Sequence, residues 1–155
     1  MSRLDRQDLP QVVPLLRALH AHHVAHLPDV FHDQASSGAL LAFLETQAKA
    51  GAWFFGHRDN GVLSAYLMAV PERRPRDSFR QAQSRILLDH LYVAPSLRGR
   101  GIAQALVHEM EERMREGAIT CWDVTHHAFN TQAQRFFARQ GAMPQVHKLG
   151  KSLKE

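Results

Sequence analysis

Two glycines and two arginines lie close together in the stretch LYVAPSLRGRGIAQAL, where an apolar run gives way to a helical pattern. Glycine is costly inside regular elements, so a G-x-G at this point indicates that the backbone itself has a task. Gly99 and Gly101 permit positive φ and a close approach to a phosphate, while Arg98 and Arg100 add positive charge. The residues predict an anion site at a helix N-terminus, and a plain turn with solvated arginines is the alternative.

Three phosphate-binding patterns can be compared with this stretch. The P-loop pattern G-x-x-x-x-G-K-[ST] occurs nowhere in the sequence. The dinucleotide pattern G-x-G-x-x-G meets Gln104 where its third glycine belongs, and too little chain follows for a second nucleotide-binding half. The pattern R-x-x-G-x-A is filled by Arg98, Gly101 and Ala103, directly after the strand-like LYVAP.

Composition sets the frame for this site. The chain has 155 residues, 45% of them apolar and 22% charged, which predicts one soluble globular domain spanning residues 1–155. No apolar run is long enough to cross a membrane, and the charged start MSRLDRQDLP lacks the apolar core of a signal peptide, so we expect a cytoplasmic protein. A net charge of +4 would attract an anionic ligand.

Hydrophobic periodicity predicts the elements that position the turn. Apolar positions at helical spacing predict a first helix from about Asp8 to His26, and a second helix follows in SSGALLAFLETQAKAG. AWFFGH and VLSAYLMAV read as two strands joined by a hairpin at RDNG. The polar PERRPRDSFRQAQSR reads as a loop.

The second half of the chain alternates strands and helices. We predict a strand at Ile86–Val93, a helix from about Gly101 to Glu116, a strand in AITCWDVT, a helix in TQAQRFFARQG and a short last strand in AMPQVHKLG. The result is an α/β domain whose sheet begins antiparallel and ends with a strand-helix-strand crossover.

Two sequence blocks together resemble the GNAT superfamily of acyl-CoA-dependent N-acetyltransferases. VAPSLRGRGIA fills every fixed place of its motif V-x-P-x-x-R-G-x-G-[IV]-[GA]. NTQAQRFFARQGA matches its block N-x-x-A-x-x-F-Y-x-x-x-G-F at Asn130, Ala133, Phe136 and Gly141. The resemblance implies a single GNAT-like α/β domain, with a mixed, mostly antiparallel sheet, a splayed central strand and flanking helices. The usual first strand would be reduced to SRL or missing.

The resemblance also implies an activity, which is transfer of acetyl from acetyl-CoA, the cosubstrate, to a primary amine by direct attack. Backbone amides in the turn would hold the CoA pyrophosphate, and the end of the preceding strand would hydrogen-bond the pantetheine. The Val93 amide would face the thioester carbonyl. The cofactor-binding residues so implied are Leu91, Tyr92, Val93, Arg98, Gly99, Arg100, Gly101, Ile102, Ala103, Asn130 and Phe137.

Two ionisable residues, Asp89 and His90, interrupt the apolar strand ahead of the turn. The strand period of two places Asp89 on the face of Leu91 and Val93, with His90 on the opposite face. The resemblance implies that Asp89 is catalytic, because many relatives carry an acidic residue here that binds the acceptor amine or relays its proton. A salt-bridged strand carboxylate is the alternative for Asp89, and a hydrogen-bonded sheet residue is the simpler interpretation of His90.

Phe137 departs from the family pattern, because relatives usually carry a Tyr whose hydroxyl protonates the CoA thiolate. Three interpretations stay open. The thiolate leaves unassisted, Tyr92 or His127 substitutes, or the protein is a catalytically weak CoA-binding sensor.

Partners are predicted only by class. We expect a small-molecule or peptide amine as acceptor, no nucleic acid and no membrane, and the resemblance allows a homodimer. Within HAHHVAH, His22 and His26 are four residues apart without a nearby carboxylate or cysteine, so no metal site is predicted. In relatives the first helix borders the acceptor site, which makes His22, His23 and His26 candidate substrate contacts.

Overall fold

One five-stranded sheet, in the order β1-β2-β3-β4-β5, organises the first 125 residues. Adjacent strands are antiparallel except β4 and β5, which are parallel and joined through a helix, as the predicted crossover requires. The strands are β1 at Ser2–Arg3, β2 at Trp53–Asp59, β3 at Val62–Arg74, β4 at Gln83–Val93 and β5 at Trp122–Val124.

Residues 1–153 contain four helices, with one short 3-10 turn at Pro95–Leu97 before the third of them. The helices are α1 at Leu9–His26, α2 at Ser37–Lys49, α3 at Ile102–Glu116 and α4 at Thr131–Arg139. The computed structural model describes residues 1–153, which its contacts divide into a first unit, Met1–Thr125, and a second unit beginning at His126.

Alternate residues of the central strands face two separate apolar cores in the first unit. On one face, α1 and α2 pack their apolar positions against Phe54, Tyr66 and Met68. The intervening Leu67 and Ala69 are also fully buried and face the other side, where α3 contacts β2, β3 and β4. The sheet is therefore covered on both faces, and the α1–α2 face and the α3 face present different residues of β4.

The first three predicted elements, which are the helices α1 and α2 and the strand β2, are confirmed. The strands differ in length from their predictions. The hairpin at RDNG forms with positive φ at Asn60 and Gly61, and β1 pairs with β2 at Ser2 and Arg3 as the expected remnant of a first strand. β5 covers only three residues of the predicted AITCWDVT.

The predicted loop PERRPRDSFRQAQSR is wrong at both of its ends. β3 continues to Arg74 and β4 begins at Gln83, where the two strands still pair, so only residues 75–82 form the loop. The arginine-rich ends of the two strands were predicted as loop because they lack apolar alternation. Both faces of this extended hairpin are exposed, and an exposed strand does not need such alternation.

The second unit contains α4, and the predicted last strand AMPQVHKLG does not form. The apolar residues Met143, Val146 and Leu149 recur every three positions and are all exposed, whereas a strand buries every second residue. Pro144 also lacks the N–H that a ladder needs. Across the part of the chain that the structure describes, no helix is long and apolar enough to cross a membrane.

Candidate active site

The turn that leads into α3 has the glycine geometry that its sequence predicts. Gly99 and Gly101 both lie at φ +76°, in the left-handed region, and Gly101 is the N-cap of α3. A Cβ added to either glycine would meet no atom within 4 Å, so backbone conformation and not crowding favours glycine here. The left-handed conformation costs other residues about 1–2 kcal/mol.

The backbone N–H groups of this turn have no internal partners. Within residues 1–153, no hydrogen bond of ordinary geometry is donated by the N–H of Gly99 or by those of residues 101–104. The first turn of α2 differs, because its N–H at Ala39 donates to the Ser36 hydroxyl at 3.1 Å. Five outward N–H groups at the positive end of a 15-residue helix form an environment suited to an anion.

Arg98 links this turn to the end of β4. Its Nε donates to the carbonyl oxygen of Val93 at 3.0 Å, and its guanidinium lies 5.9 Å from the ring centroid of Tyr92. Burial and the positive charges of His26 and Arg98 together lower the pKa of His22 on α1. The turn therefore lies close enough to the last part of α1 for the charge of Arg98 to act on His22.

A β-bulge lies within β4 at Asp89. Met68 pairs with His90 while the next residue of β3, Ala69, pairs with Leu88, which leaves Asp89 as the extra residue. Beyond the bulge, Ala94 donates its N–H to the Ser64 carbonyl at 2.9 Å.

The bulge decides where the amides at the end of β4 point. Because hydrogen-bonded and non-hydrogen-bonded pairs alternate in an antiparallel ladder, the bond from Ala94 directs the N–H groups of Leu91 and Val93 away from β3. On that side β5 pairs only with Ile86, Leu87 and Leu88. This opening is the splay expected of the central strand, whereas the Tyr92 N–H is directed into the β3 ladder, toward its pair Tyr66.

Asp89, His90 and Tyr66 form a polar chain at the bulge. The Tyr66 hydroxyl lies 3.0 Å from Nδ1 of His90, and Nε2 of His90 lies 3.7 Å from Oδ2 of Asp89. The alternation expected for this strand is therefore wrong, because the bulge brings Asp89 and His90 together and separates His90 from the face of Leu88.

Burial and neighbouring charges determine the protonation states of Tyr66 and His90. Burial lowers the pKa of His90, and the positive charge of His23 acts in the same direction while Asp89 opposes both. Burial also raises the pKa of Tyr66, as does the negative charge of Asp89. Near pH 7 the neutral His90 therefore accepts the Tyr66 proton at Nδ1 and presents its Nε2–H to the carboxylate of Asp89, whose side chain is 39% exposed.

The comparison with known families is decisive for this arrangement. The model of the acetyltransferase (GNAT) family matches residues 16–142, which include the α3 turn and the bulged strand. The chain belongs to the GNAT family. Family members use acetyl-CoA, and no curated protein sequence matches the chain significantly.

Solved structures show the same GNAT fold at low sequence identity. A Bacillus halodurans protein, solved as a tetramutant, is 18% identical and has a TM-score of 0.88 over 98% of both chains. An aminoglycoside N-acetyltransferase in complex with CoA is 17% identical, with a TM-score of 0.76 over 97% of this chain and 91% of its own. A ribosomal-protein-alanine N-acetyltransferase from Brucella melitensis is 19% identical, with a TM-score of 0.73 over 98% of both chains.

The residues of the second GNAT block lie in the second unit. The Asn130 side chain accepts from the Ala133 N–H at 3.0 Å and so caps α4. The Phe137 side chain is buried, and its ring lies at an edge-on 72° to that of Phe136. His127, a candidate substitute for the missing Tyr, stacks on Phe129 at 5.8 Å.

Sequence reasoning missed Tyr66 and Phe43. Tyr66 is fully buried, and it carries the only side-chain hydroxyl in the buried run from Ala65 to Ala69, which is the signal that would have drawn attention to it. Phe43 of α2 stacks on His90, and nothing in the sequence predicts that contact.

The structure describes no group of three or more His, Cys, Asp or Glu side chains, within residues 1–153, that could hold a metal ion.

Proposed function

We propose that this GNAT protein transfers an acetyl group from acetyl-CoA to a primary amine by direct attack of the amine. The observation that carries the proposal is the run of unpartnered N–H groups at Gly99 and residues 101–104. Their number fits the diphosphate of CoA, which needs several donors around two negative charges.

The proposed CoA site follows the turn and the strand before it. Amides from Gly99 to Ala103 bind the pyrophosphate, and Arg98 and Arg100 supply positive charge around it. Ile102, the first residue of α3, contributes only its N–H, because its side chain is buried. The N–H group of Leu91 suits an amide group of the pantetheine arm, and the N–H group of Val93 suits the thioester carbonyl. Tyr92 contributes its ring beneath Arg98. The roles of Asn130 and Phe137 stay predictions.

The proposed chemistry uses groups of the first unit. The Asp89 carboxylate takes a proton from the acceptor ammonium, directly or through one water, and leaves a neutral amine. The Val93 N–H donates to the oxyanion that develops on the thioester carbonyl as the N–C bond forms. The C–S bond then breaks, the second amine proton is lost to solvent, and the CoA thiolate is protonated from water. His90 stays neutral, and its Nε2 lies 3.7 Å from Oδ2 of Asp89.

Phe137 supports a second candidate, a CoA-binding sensor with weak catalysis, because Phe offers no proton to the leaving thiolate. The two candidates share the CoA site and differ in turnover. A CoA thiolate is a tolerable leaving group, since thiols lose their proton at moderate pH. We therefore favour the enzyme.

We further propose that the whole chain acts as one acetyltransferase domain. The family model runs across the boundary at residue 125 without interruption, from 16 to 142. The expectations of a cytoplasmic protein, of no nucleic-acid or membrane partner and of a homodimer remain predictions.

Thiol release from acetyl-CoA over a panel of amines tests this function. We expect release that depends on the amine and on the protein, and that falls sharply in Asp89→Asn. The matched control is Asp77→Asn, which alters a carboxylate in the exposed hairpin loop that accepts hydrogen bonds from its own turn. Saturable acetyl-CoA binding without release on any amine would support the sensor instead.

A further inference from the structure

An aromatic cluster adjoins Asp89 on the α1–α2 face of the sheet. Phe43 of α2 stacks on His90, with ring centroids 5.8 Å apart and planes 26° apart. His23 of α1 packs against Phe31 of the α1–α2 connection at 5.7 Å, and its charge is close enough to lower the pKa of His90. We call these four side chains, Phe31, Phe43, His23 and His90, the aromatic patch.

Phe43 and Asp89 both lie against His90, and both are partly exposed. Phe43 is 38% exposed although it is a large apolar residue, and the Asp89 side chain is 39% exposed. A partly exposed carboxylate and a partly exposed phenyl ring on the same imidazole suit a ligand with an ammonium group on an apolar body. The ammonium then meets Asp89 and the Phe43 ring face, and the apolar body covers the ring.

Charge limits the ligand further. Burial and the charges of His26 and Arg98 lower the pKa of His22, and burial and the charge of His23 lower the pKa of His90 while Asp89 raises it. A second ammonium on the acceptor would gain no attraction from Arg98, whose guanidinium is close enough to α1 to act on His22. Polycations such as polyamines and aminoglycosides would be disfavoured by the like charge of Arg98.

We propose that the acceptor is a monoamine with a single positive charge on an aromatic or apolar body, and that Phe43 determines this specificity. The inference rests on the proposed function, because it assigns the acceptor of that same reaction. In the bound state Asp89 receives the ammonium proton, the freed nitrogen attacks the thioester carbon, and CoA leaves as the thiolate.

The experiment compares four amines at saturating acetyl-CoA by thiol release. The amines are 2-phenylethylamine, hexylamine, spermidine and kanamycin. We expect kcat/KM for the two monoamines to exceed that for the two polycations by about tenfold or more. A preference for spermidine or kanamycin would overturn the inference.

Variants of Phe43 locate the specificity. Phe43→Ala should raise KM for 2-phenylethylamine about tenfold and leave KM for acetyl-CoA unchanged, and Phe43→Leu should restore part of the loss for hexylamine. Phe79→Ala is the control, because Phe79 is 96% exposed in the hairpin loop and should change nothing. An equal loss on all four amines in Phe43→Ala would contradict a specificity role.

Direct binding keeps the inference testable where no amine turns over. Titration of 2-phenylethylamine and of spermidine into CoA-saturated protein measures acceptor preference without chemistry, and tighter binding of spermidine would overturn the proposal. Failure of the proposed function is distinguishable, because it appears as missing acetyl-CoA binding or as amine binding without turnover.

Discussion

The N-termini of α2 and α3 differ in how the first N–H groups of the helix find hydrogen-bond acceptors. Both helices leave their first N–H groups without helical acceptors. At α2 the Ser36 hydroxyl accepts from the Ala39 N–H at 3.1 Å, so a side chain of the protein supplies one of the missing acceptors. At α3 the N-cap is Gly101, which has no side chain to offer, and the N–H groups of residues 101–104 have no partner within residues 1–153. A helix start that lacks its own cap is available to a ligand.

The difference predicts that a negative charge placed at the two sites has unequal effects. Gly101→Glu should weaken acetyl-CoA binding by about 100-fold or more, because a carboxylate would occupy and repel the phosphate position. Isothermal titration with acetyl-CoA measures this.

Gly61→Glu is the matched control for that variant. Gly61 also has a left-handed backbone, at φ +83°, and a Cβ there would likewise meet no atom within 4 Å. Both variants should lose similar stability in urea, and only Gly101→Glu should lose CoA. Undiminished acetyl-CoA affinity in Gly101→Glu would remove the anion site from α3.

Asp89→Asn separates chemistry from the binding carried by the α3 turn. We expect kcat to fall about 100-fold, within the range for loss of a general base, while the Kd for acetyl-CoA stays unchanged. Steady-state thiol release and titration together measure both quantities. A fall in CoA affinity with unaltered kcat would show that Asp89 serves the cofactor and not the amine.

Ser36→Ala tests the contribution of the side-chain cap at the N-terminus of α2. Removal of the hydroxyl should lower the free energy of unfolding by about 1 kcal/mol and leave acetyl-CoA affinity unchanged. Urea unfolding followed by circular dichroism measures the loss. An altered CoA affinity would mean that α2 also serves the cofactor.

A smaller effect is expected from pH. Because the pKa of His90 is lowered in the folded state, the unfolded chain binds more protons below about pH 6.5, so stability should fall as pH drops from that value. Tyr66, Asp89 and His23 are the titratable groups around His90, and His22, whose pKa is also lowered, adds to the slope.

The variant His90→Gln should flatten this dependence in urea unfolding between pH 7.5 and 5.5. His108→Gln, on the exposed side of α3, should leave it unaltered. An identical slope in both variants would mean that burial of His90 does not set the pH dependence.

The turn before α3 could be predicted from the sequence, because the spacing of its glycines depends directly on the local backbone conformation. Gly99 and Gly101 are left-handed as expected, since few other residues adopt that conformation readily. The bulge at Asp89 was not predictable, because an extra strand residue is defined by the register of its partner and not by its own type. The Phe43–His90 contact was missed for the same reason, since it joins distant segments. The arginine-rich hairpin shows the converse error, in which local polarity hid a paired strand.

The most direct test of the account follows the backbone amides themselves. In a nitrogen-15 NMR titration with CoA, we expect the resonances of Gly99 and residues 101–104 to shift saturably, together with those of Leu91 and Val93. The amides of residues 37–39 at the start of α2 should stay in place. Saturating CoA that leaves the α3 amides unmoved, or that shifts both helix starts alike, would contradict the assignment of the CoA site.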